Sequence, residues 1–510
     1  MKGLLKILAI IIYIFLVSCE KLDVENLNNP DQEKTNNSPS GLESLAKGLY
    51  LNYWNSTHAA SGSPTIGITA LVAADQFTAS WKNFGWFASS LEPRQRWDNS
   101  ISAENDQVTE NFYFAAYRVI KIANTIIEKI SVDHIQLGNG GINNTKYLAL
   151  SYLIKGAEYG NLGIVFDATP VEGIISGNSK DTIGYYSVID KAIKSLNTVI
   201  SICDTASFTL SGSIFNSNDI TSEQLKQIAH SYIARFLVLS SRNSSDNKKV
   251  DWNFVLDNAN KGITFDFGST FDGLPYDGAG GTWYDLNLYY LVRRDWARID
   301  NRIINLFDPA YPKRYPSSGN APKVHSGLKA GQASSLDSRL GSDFEFLSSI
   351  NFVPSRGTYH YSNYRYKRFD ALLSNSGSGM LYEIRQYENE LYKAEAYIMI
   401  NKNDITNPLN ILNNSVNPRI KRGTLKPLNA LVKDDIINAI FYERDIELMA
   451  QSFMLGFCDM RRRNMLQYGT PLHFPIPGRE LQALNMNNYT YGGAGEADGV
   501  NTSSGGWFDK

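Results

Sequence analysis

Glu443 and Glu447, four residues apart, are the pair in this sequence that most invites an acid–base reading. On a helix that spacing puts both carboxylates on one face, and two carboxyls flanking a glycosidic bond can cleave it. Yet Arg444 stands between them and Arg461, Arg462 and Arg463 follow shortly after. Acids and guanidiniums this close in sequence favour buried ion pairs that hold C-terminal helices over a catalytic pair. The histidines, His58, His134, His230, His325, His360 and His473, make no H-E-x-x-H and no close pair, so no zinc site is expected. His473, in a proline-rich turn, reads as structural. Asp272 and Asp277 could hold a structural calcium through hard oxygens, but they lack the EF-hand spacing and turn chemistry alone explains them. Phosphate-binding, dinucleotide and nucleophile motifs are absent. No catalytic residue and no cofactor is expected.

Non-covalent chemistry has better material. The chain of 510 residues carries 29 Tyr, 24 Phe and 8 Trp, an abundance suited to binding flat apolar faces. Trp81, Phe84 and Trp86 crowd together beside Asp75, Gln76, Lys82 and Asn83, and Trp283, Tyr284 and Trp296 recur with Arg293, Arg294 and Asp295. Sugar rings have apolar C–H faces that an aromatic platform covers while polar groups bond the hydroxyls. Packing among irregular loops is the competing role for each ring; for the Trp81–Trp86 cluster as a whole, binding is the expectation. The formal net charge of −2 gives no reason to expect nucleic acid as a partner.

The amino terminus sets the address. Lys2 and Lys6 precede an apolar run from Ile7 to Val17, shorter than the roughly 20 residues a bilayer-crossing helix needs. A charged start, a short apolar core and a small residue describe a cleaved export signal. Leu16-Val17-Ser18-Cys19 resembles a bacterial lipobox, so Cys19 is the expected lipidation site and the membrane anchor. Residues 1–18 are then a signal peptide and 19–39 a polar tether, rich in Asn, Asp, Glu and Pro. Cys203 and Cys458 remain, and read as isolated buried thiols, although one disulfide is possible.

The elements that must position these residues are mostly helical. Leu42, Leu45, Ala46, Leu49, Tyr50 and Tyr53 follow helical spacing behind a capping box of Ser40 and Glu43. Residues 55–101 break the period and read in part as an aromatic loop. Further apolar faces run through Phe112–Ile130, Tyr147–Ala157 (ending near Gly160), Leu225–Leu239 and Trp252–Ala259. Small Ala beside bulky Tyr on paired helices is similar to tetratricopeptide units, without a clean repeat. Residues 264–380 are Gly-, Ser-, Pro-, Asp- and Tyr-rich, with few helical signals and room for short strands near Tyr359–Tyr366. So long an irregular stretch reads as functional or as an inserted lobe. Helix resumes at Leu381, with faces through Ile384–Ile398 and Ile437–Leu448.

With these elements in place the sequence resembles the SusD-like (RagB/SusD) family of nutrient-uptake lipoproteins. The residues that carry the resemblance are the lipobox and polar lead from Cys19 to Pro30, Leu391-Tyr392-Lys393-Ala394-Glu395-Ala396, Glu443-Arg444-Asp445-Ile446-Glu447-Leu448, Asp459-Met460-Arg461-Arg462, and Pro475-Ile476-Pro477-Gly478-Arg479-Glu480-Leu481. The sequence departs from the family where Ala450-Gln451-Ser452-Phe453 replaces its Glu-Gly-x-Arg, and again in its ending at Asn487–Gly493. The resemblance implies a mainly α fold: a tetratricopeptide-like helical scaffold (about 40–263 and 381–468) bearing an irregular ligand lobe (about 264–380) in one domain, 40–510. It implies an outer-membrane lipoprotein facing the cell exterior. Such a protein binds an oligosaccharide, or in the alternative a peptide, and passes it to a TonB-dependent SusC-like barrel. Trp81, Phe84, Trp86, Trp283, Tyr284 and Trp296 are the expected ligand contacts. A lipid-anchored glycan hydrolase and a purely structural adaptor are the rival readings.

Overall fold

A computed structural model describes residues 36–58, 66–79, 85–91, 94–103, 106–170, 181–274, 281–311, 331–348, 362–374, 377–429 and 432–493. Cys19, Trp81, Phe84, Asp277, the signal segment and the tether up to residue 35 lie outside them. The chain is mainly helical, with short strands and long loops.

The N-terminal helices are α1 (Pro39–Lys47), α2 (Leu49–Thr57), α3 (Ile66–Ala73), α4 (Asp106–Ser131), α5 (Asn144–Val165), α6 (Tyr185–Thr205), α7 (Ser222–Leu239) and α8 (Trp252–Asn260). The cap of α1 is Ser38 rather than Ser40: its hydroxyl accepts from the Gly41 N–H and Pro39 sits at the first turn, where a missing N–H costs nothing. Glu43 pairs instead with Lys47. Within 55–101, α3 is a fully buried helix that sequence periodicity could not show, because it is apolar on every side. Helix α5 runs past Gly160 to Val165. Gly160 is there for close approach, since a Cβ on it would lie 2.0 Å from the Phe236 ring of α7. Helix α7 starts with a reciprocal capping box between Thr221 and Gln224. Helices α4, α5, α6 and α7 stack in sequence order, as paired helical repeats do. Their buried faces include Phe112, Ile126, Leu150, Leu153, Leu196, Ile228 and Phe236, and full burial of such side chains is worth about 1.5–3 kcal/mol each.

The middle of the chain contributes α9 (Leu286–Leu291), α10 (Asn301–Phe307) and small antiparallel ladders. Among the strands, β1 (Phe77–Ala79) pairs with β7 (Ala297–Ile299), β2 (Ala168–Pro170) with β3 (Thr182–Gly184), and β4 (Thr209–Leu210) with β5 (Ile220–Thr221). Likewise β6 (Phe267–Thr270) pairs with β10 (Met380–Ile384), and β8 (Phe344–Phe346) with β9 (Tyr364–Tyr366). The residues from Met380 to Ile384 are therefore strand, and the helix expected from Leu381 begins at Gln386. Burial alternates along Met380–Glu383, as on a strand facing the β6 ladder, and the register shifts before Ile384.

Helices α11 (Gln386–Ile400), α12 (Lys433–Ile446) and α13 (Leu455–Arg462) close the fold. Helix α11 packs on α7, α8 and α12, so both halves of the chain build one scaffold. Ion pairs dominate here. Glu443 takes both Nη atoms of Arg339, at 2.8 and 2.9 Å. Glu447 accepts from Arg368 and Arg385, both at 2.8 Å, and from Arg422 at 2.6 Å. Glu395 bridges Arg444 and Arg462. Arg461 has no carboxylate among the described residues. It donates to the carbonyls of Ile164 and Leu239, at the ends of α5 and α7, where helix ends leave acceptors unfilled. Arg242 donates to Gly163 and Phe166 beside it and to His473 Nδ1. Burial and the neighbouring Arg461 bring the Arg242 guanidinium down to about 9. Burial, with the same two arginines, holds His473 well below the usual imidazole range, so it stays a neutral acceptor. Cys203 and Cys458 are both buried and unpaired.

Candidate functional site

The β1–β7 ladder decides how the two aromatic stretches meet. Its register sets Ala79 opposite Ala297, the residue that follows Trp296 in the chain. Helix α9 is capped by Asp285, whose carboxylate accepts from the Leu288 N–H at 2.9 Å. The helix ends at Leu291, and the following turn carries Arg293, Arg294 and Trp296 into β7.

The rings form a layered pile from core to surface. Trp86 is fully buried and meets Tyr290 edge-on at 6.2 Å. Tyr290 is buried and lies parallel to Trp296, with centroids 4.4 Å apart. Trp296 is half-buried, and the exposed Arg293 lies over it at 5.6 Å and over Tyr289 at 5.2 Å. The Tyr289 hydroxyl accepts from Arg293 Nη1 at 2.7 Å. Next to this pile, Arg294 binds Glu345 of β8 at 2.8 Å. Glu345 also accepts from Arg365, which holds Asp370. Glu345 is on the wall of an open groove of about 830 Å³ that includes Ser334, Ser335, Phe346, Tyr364 and Lys367.

Two expected contacts need correction. Trp86 is sealed in the core, because the helix it begins (Trp86–Ser90) packs on α3 and β1. Trp283 is 8% exposed and stacks on Tyr50 at 5.9 Å, with Trp54 at 6.0 Å. Neither can present a ring face to a soluble ligand. They serve the surface from below: Trp86 supports Tyr290, and Trp283 pins its loop to α2, helped by the Trp54 indole N–H donating to the Tyr284 carbonyl at 2.9 Å. Tyr284 and Trp296 are half-buried. Trp81 and Phe84 fall outside the described residues. Sequence reasoning missed Tyr289 and Phe346 as partly exposed rings. The four-residue step from Tyr289 to Arg293 was a readable signal for the first.

Glu443 and Glu447 are excluded as an acid–base pair by their surroundings. Both are fully buried and fully paired with arginines. Burial pushes the Glu447 carboxyl up, but Arg368, Arg385, Arg422 and Arg339 outweigh it and bring it to about 2. Asp272 Oδ1 accepts from the backbone N–H groups of Thr282 and Trp283, a turn-closing role. Among the described residues no group of three or more acidic, His or Cys side chains could hold a metal ion.

No protein-family profile and no curated protein matches this sequence. Solved structures do. A SusD superfamily protein from Parabacteroides distasonis is 12% identical, with a TM-score of 0.56 over 88% of this chain and 97% of its own. A SusD-like carbohydrate binding protein from Bacteroides fragilis is 14% identical, with a TM-score of 0.55 over 84% and 86%. A crystal structure with xylogluco-oligosaccharide is 15% identical, with a TM-score of 0.50 over 87% and 85%. The chain has the SusD-like fold.

Proposed function

We propose that this protein is a SusD-type receptor that binds a nutrient oligosaccharide at the cell surface and does not cleave it. The observation that carries the reading is the SusD-like fold over most of the chain, shared with structures described as carbohydrate binding or holding an oligosaccharide. The surface around α9 and β7 supports it. Half-buried rings (Tyr284, Tyr289, Trp296) lie on one stretch of chain, and a groove walled by hydroxyls, two acids and a lysine opens beside Arg294. Apolar ring faces and dense hydrogen-bonding groups side by side are what an oligosaccharide requires. Tyr284 and Trp296 are proposed contacts, with Trp81 and Phe84 beyond the end of β1.

On this reading residues 1–18 are removed, Cys19 carries the lipid, and 19–39 tether one domain, 40–510, to the outer membrane. That domain caps a SusC-like TonB-dependent barrel and releases the glycan into it. No helix among the described residues is long and apolar enough to cross a membrane, which suits attachment by lipid. The test is binding of purified protein to a glycan and peptide array, repeated with Trp296→Ala and Tyr284→Ala. Glycan retention that weakens in both variants, with no new reducing ends, is the expected result. Steady release of reducing ends would defeat the binding-only reading, and retention of peptides alone would move the ligand class.

A further inference from the structure

The exposed group at the top of the ring pile is a guanidinium, and its environment has a chemical meaning. Trp296 has Tyr290 against it at 4.4 Å and Arg293 over it at 5.6 Å. The indole is therefore a seat for Arg293. Tyr289 completes the seat through its ring and through the 2.7 Å bond from Arg293 Nη1 to its hydroxyl. Cation–π contact on two rings and one hydrogen bond fix the fork in place without neutralising it. The neighbouring acids on β8 and past β9 are committed elsewhere: Glu345 is shared by Arg294 and Arg365, and Asp370 is held by Arg365. Asp295 is exposed two residues along the chain, yet no ion pair joins it to Arg293. Among the described residues Arg293 has no carboxylate partner, although almost every buried arginine of the α11–α13 region has one.

A charged fork held rigid, exposed and without an acid among the described residues, next in sequence to the Arg294 that binds the groove's Glu345, fits two coplanar oxygens, bonded by parallel N–H groups. We propose that Arg293 is a specificity-determining residue for a carboxylate on the ligand, and that the site takes uronic-acid-containing oligosaccharides in preference to neutral ones. This rests on the glycan-binding reading above and narrows its substrate class.

The experiment compares oligosaccharides built on galacturonate and on glucuronate with their methyl esters, which keep the sugar and remove the charge. Neutral gluco-oligosaccharides, sulfated oligosaccharides and acidic peptides complete the set. Binding is measured calorimetrically for the wild type, Arg293→Gln and Arg293→Lys. Arg293 is exposed, so both variants should fold, which circular dichroism checks. A free acid should bind about tenfold or more tightly than its ester, as loss of a charge-assisted bidentate pair implies. Arg293→Gln should erase that difference, leaving ester binding within about twofold, and Arg293→Lys should restore it only in part. Equal binding of acid and ester, or a preference unmoved by Arg293→Gln, overturns the inference while the glycan reading stands. Preference for sulfated over carboxylated sugars overturns it too. Binding of acidic peptides and of no sugar overturns both.

Discussion

Arginine works in opposite ways in two regions of this molecule. Around α11–α13 it is buried and matched. Arg339, Arg368, Arg385 and Arg422 converge on Glu447, and Arg444 and Arg462 on Glu395. On the surface past α9, Arg293 is exposed, held by rings, and matched to no described acid. The first arrangement needs its partners in order to fold, because an unpaired buried charge is costly. The second survives alone because water solvates it, and so it stays available to a ligand. The same side chain is structural where it is sealed with acids and, on the proposal above, a recognition group where it is displayed on aromatics.

The strongest way to break this contrast is Glu447→Ala. It strands several buried guanidiniums and should cost about 3–5 kcal/mol in denaturant unfolding at pH 7; a loss below 1 kcal/mol would show that water reaches the network. The same network should show in acid. Glu447 and Glu395 are each brought from 4.5 to about 2 in the folded protein. Their stabilisation is complete above about pH 4.5 and disappears as pH falls from there towards 2. A midpoint of acid unfolding that Glu395→Gln leaves unmoved would count against it.

A middle-sized effect tests the helical stack, where apolar contact replaces charge. Gly160→Ala forces a methyl into the Phe236 ring, for a loss of about 1–3 kcal/mol. Pairing it with Phe236→Leu should recover part of that loss, and a neutral Gly160→Ala would mean α5 and α7 are not pressed together. A smaller effect of opposite sign belongs to Glu158. Burial raises its carboxyl to about 8, with Glu383 adding to the rise and only the Ser56 hydroxyl opposing. The folded form holds the proton, so wild-type stability declines as pH climbs from 4.5 towards 8. Glu158→Gln should remove that decline and gain about 1 kcal/mol at pH 8. Least of all in stability should be Arg293→Gln, within about 0.5 kcal/mol, since that arginine is exposed; a larger loss would place it with the structural arginines.

Local periodicity made much of this legible. The faces through Phe112–Ile130 and Leu225–Leu239 became α4 and α7 because one buried stripe repeats every turn. Helix α6 follows the same rule through Val188, Ala192, Leu196 and Val199, but its N-cap is Gly184, with no side-chain cap to mark the start. Helix α3 shows no period because all of it is buried. The ion-pair reading of Glu443 and Glu447 was correct in kind, but their partners are Arg339, Arg368, Arg385 and Arg422 as well as Arg419, distant in the chain and drawn in by the fold. The aromatic clusters were visible as clusters; their sorting was not. Trp86 is sealed and Trp296 reaches the surface.

By itself the sequence determined the helical class and the motifs that resemble SusD-like proteins, because each is written in residues near one another along the chain. Tertiary structure alone decided which rings face water and which arginines are left without an acid among the described residues. Burial and charge pairing are properties of neighbours in space, and here those neighbours are brought together by ladders such as β1–β7 from residues more than two hundred positions apart.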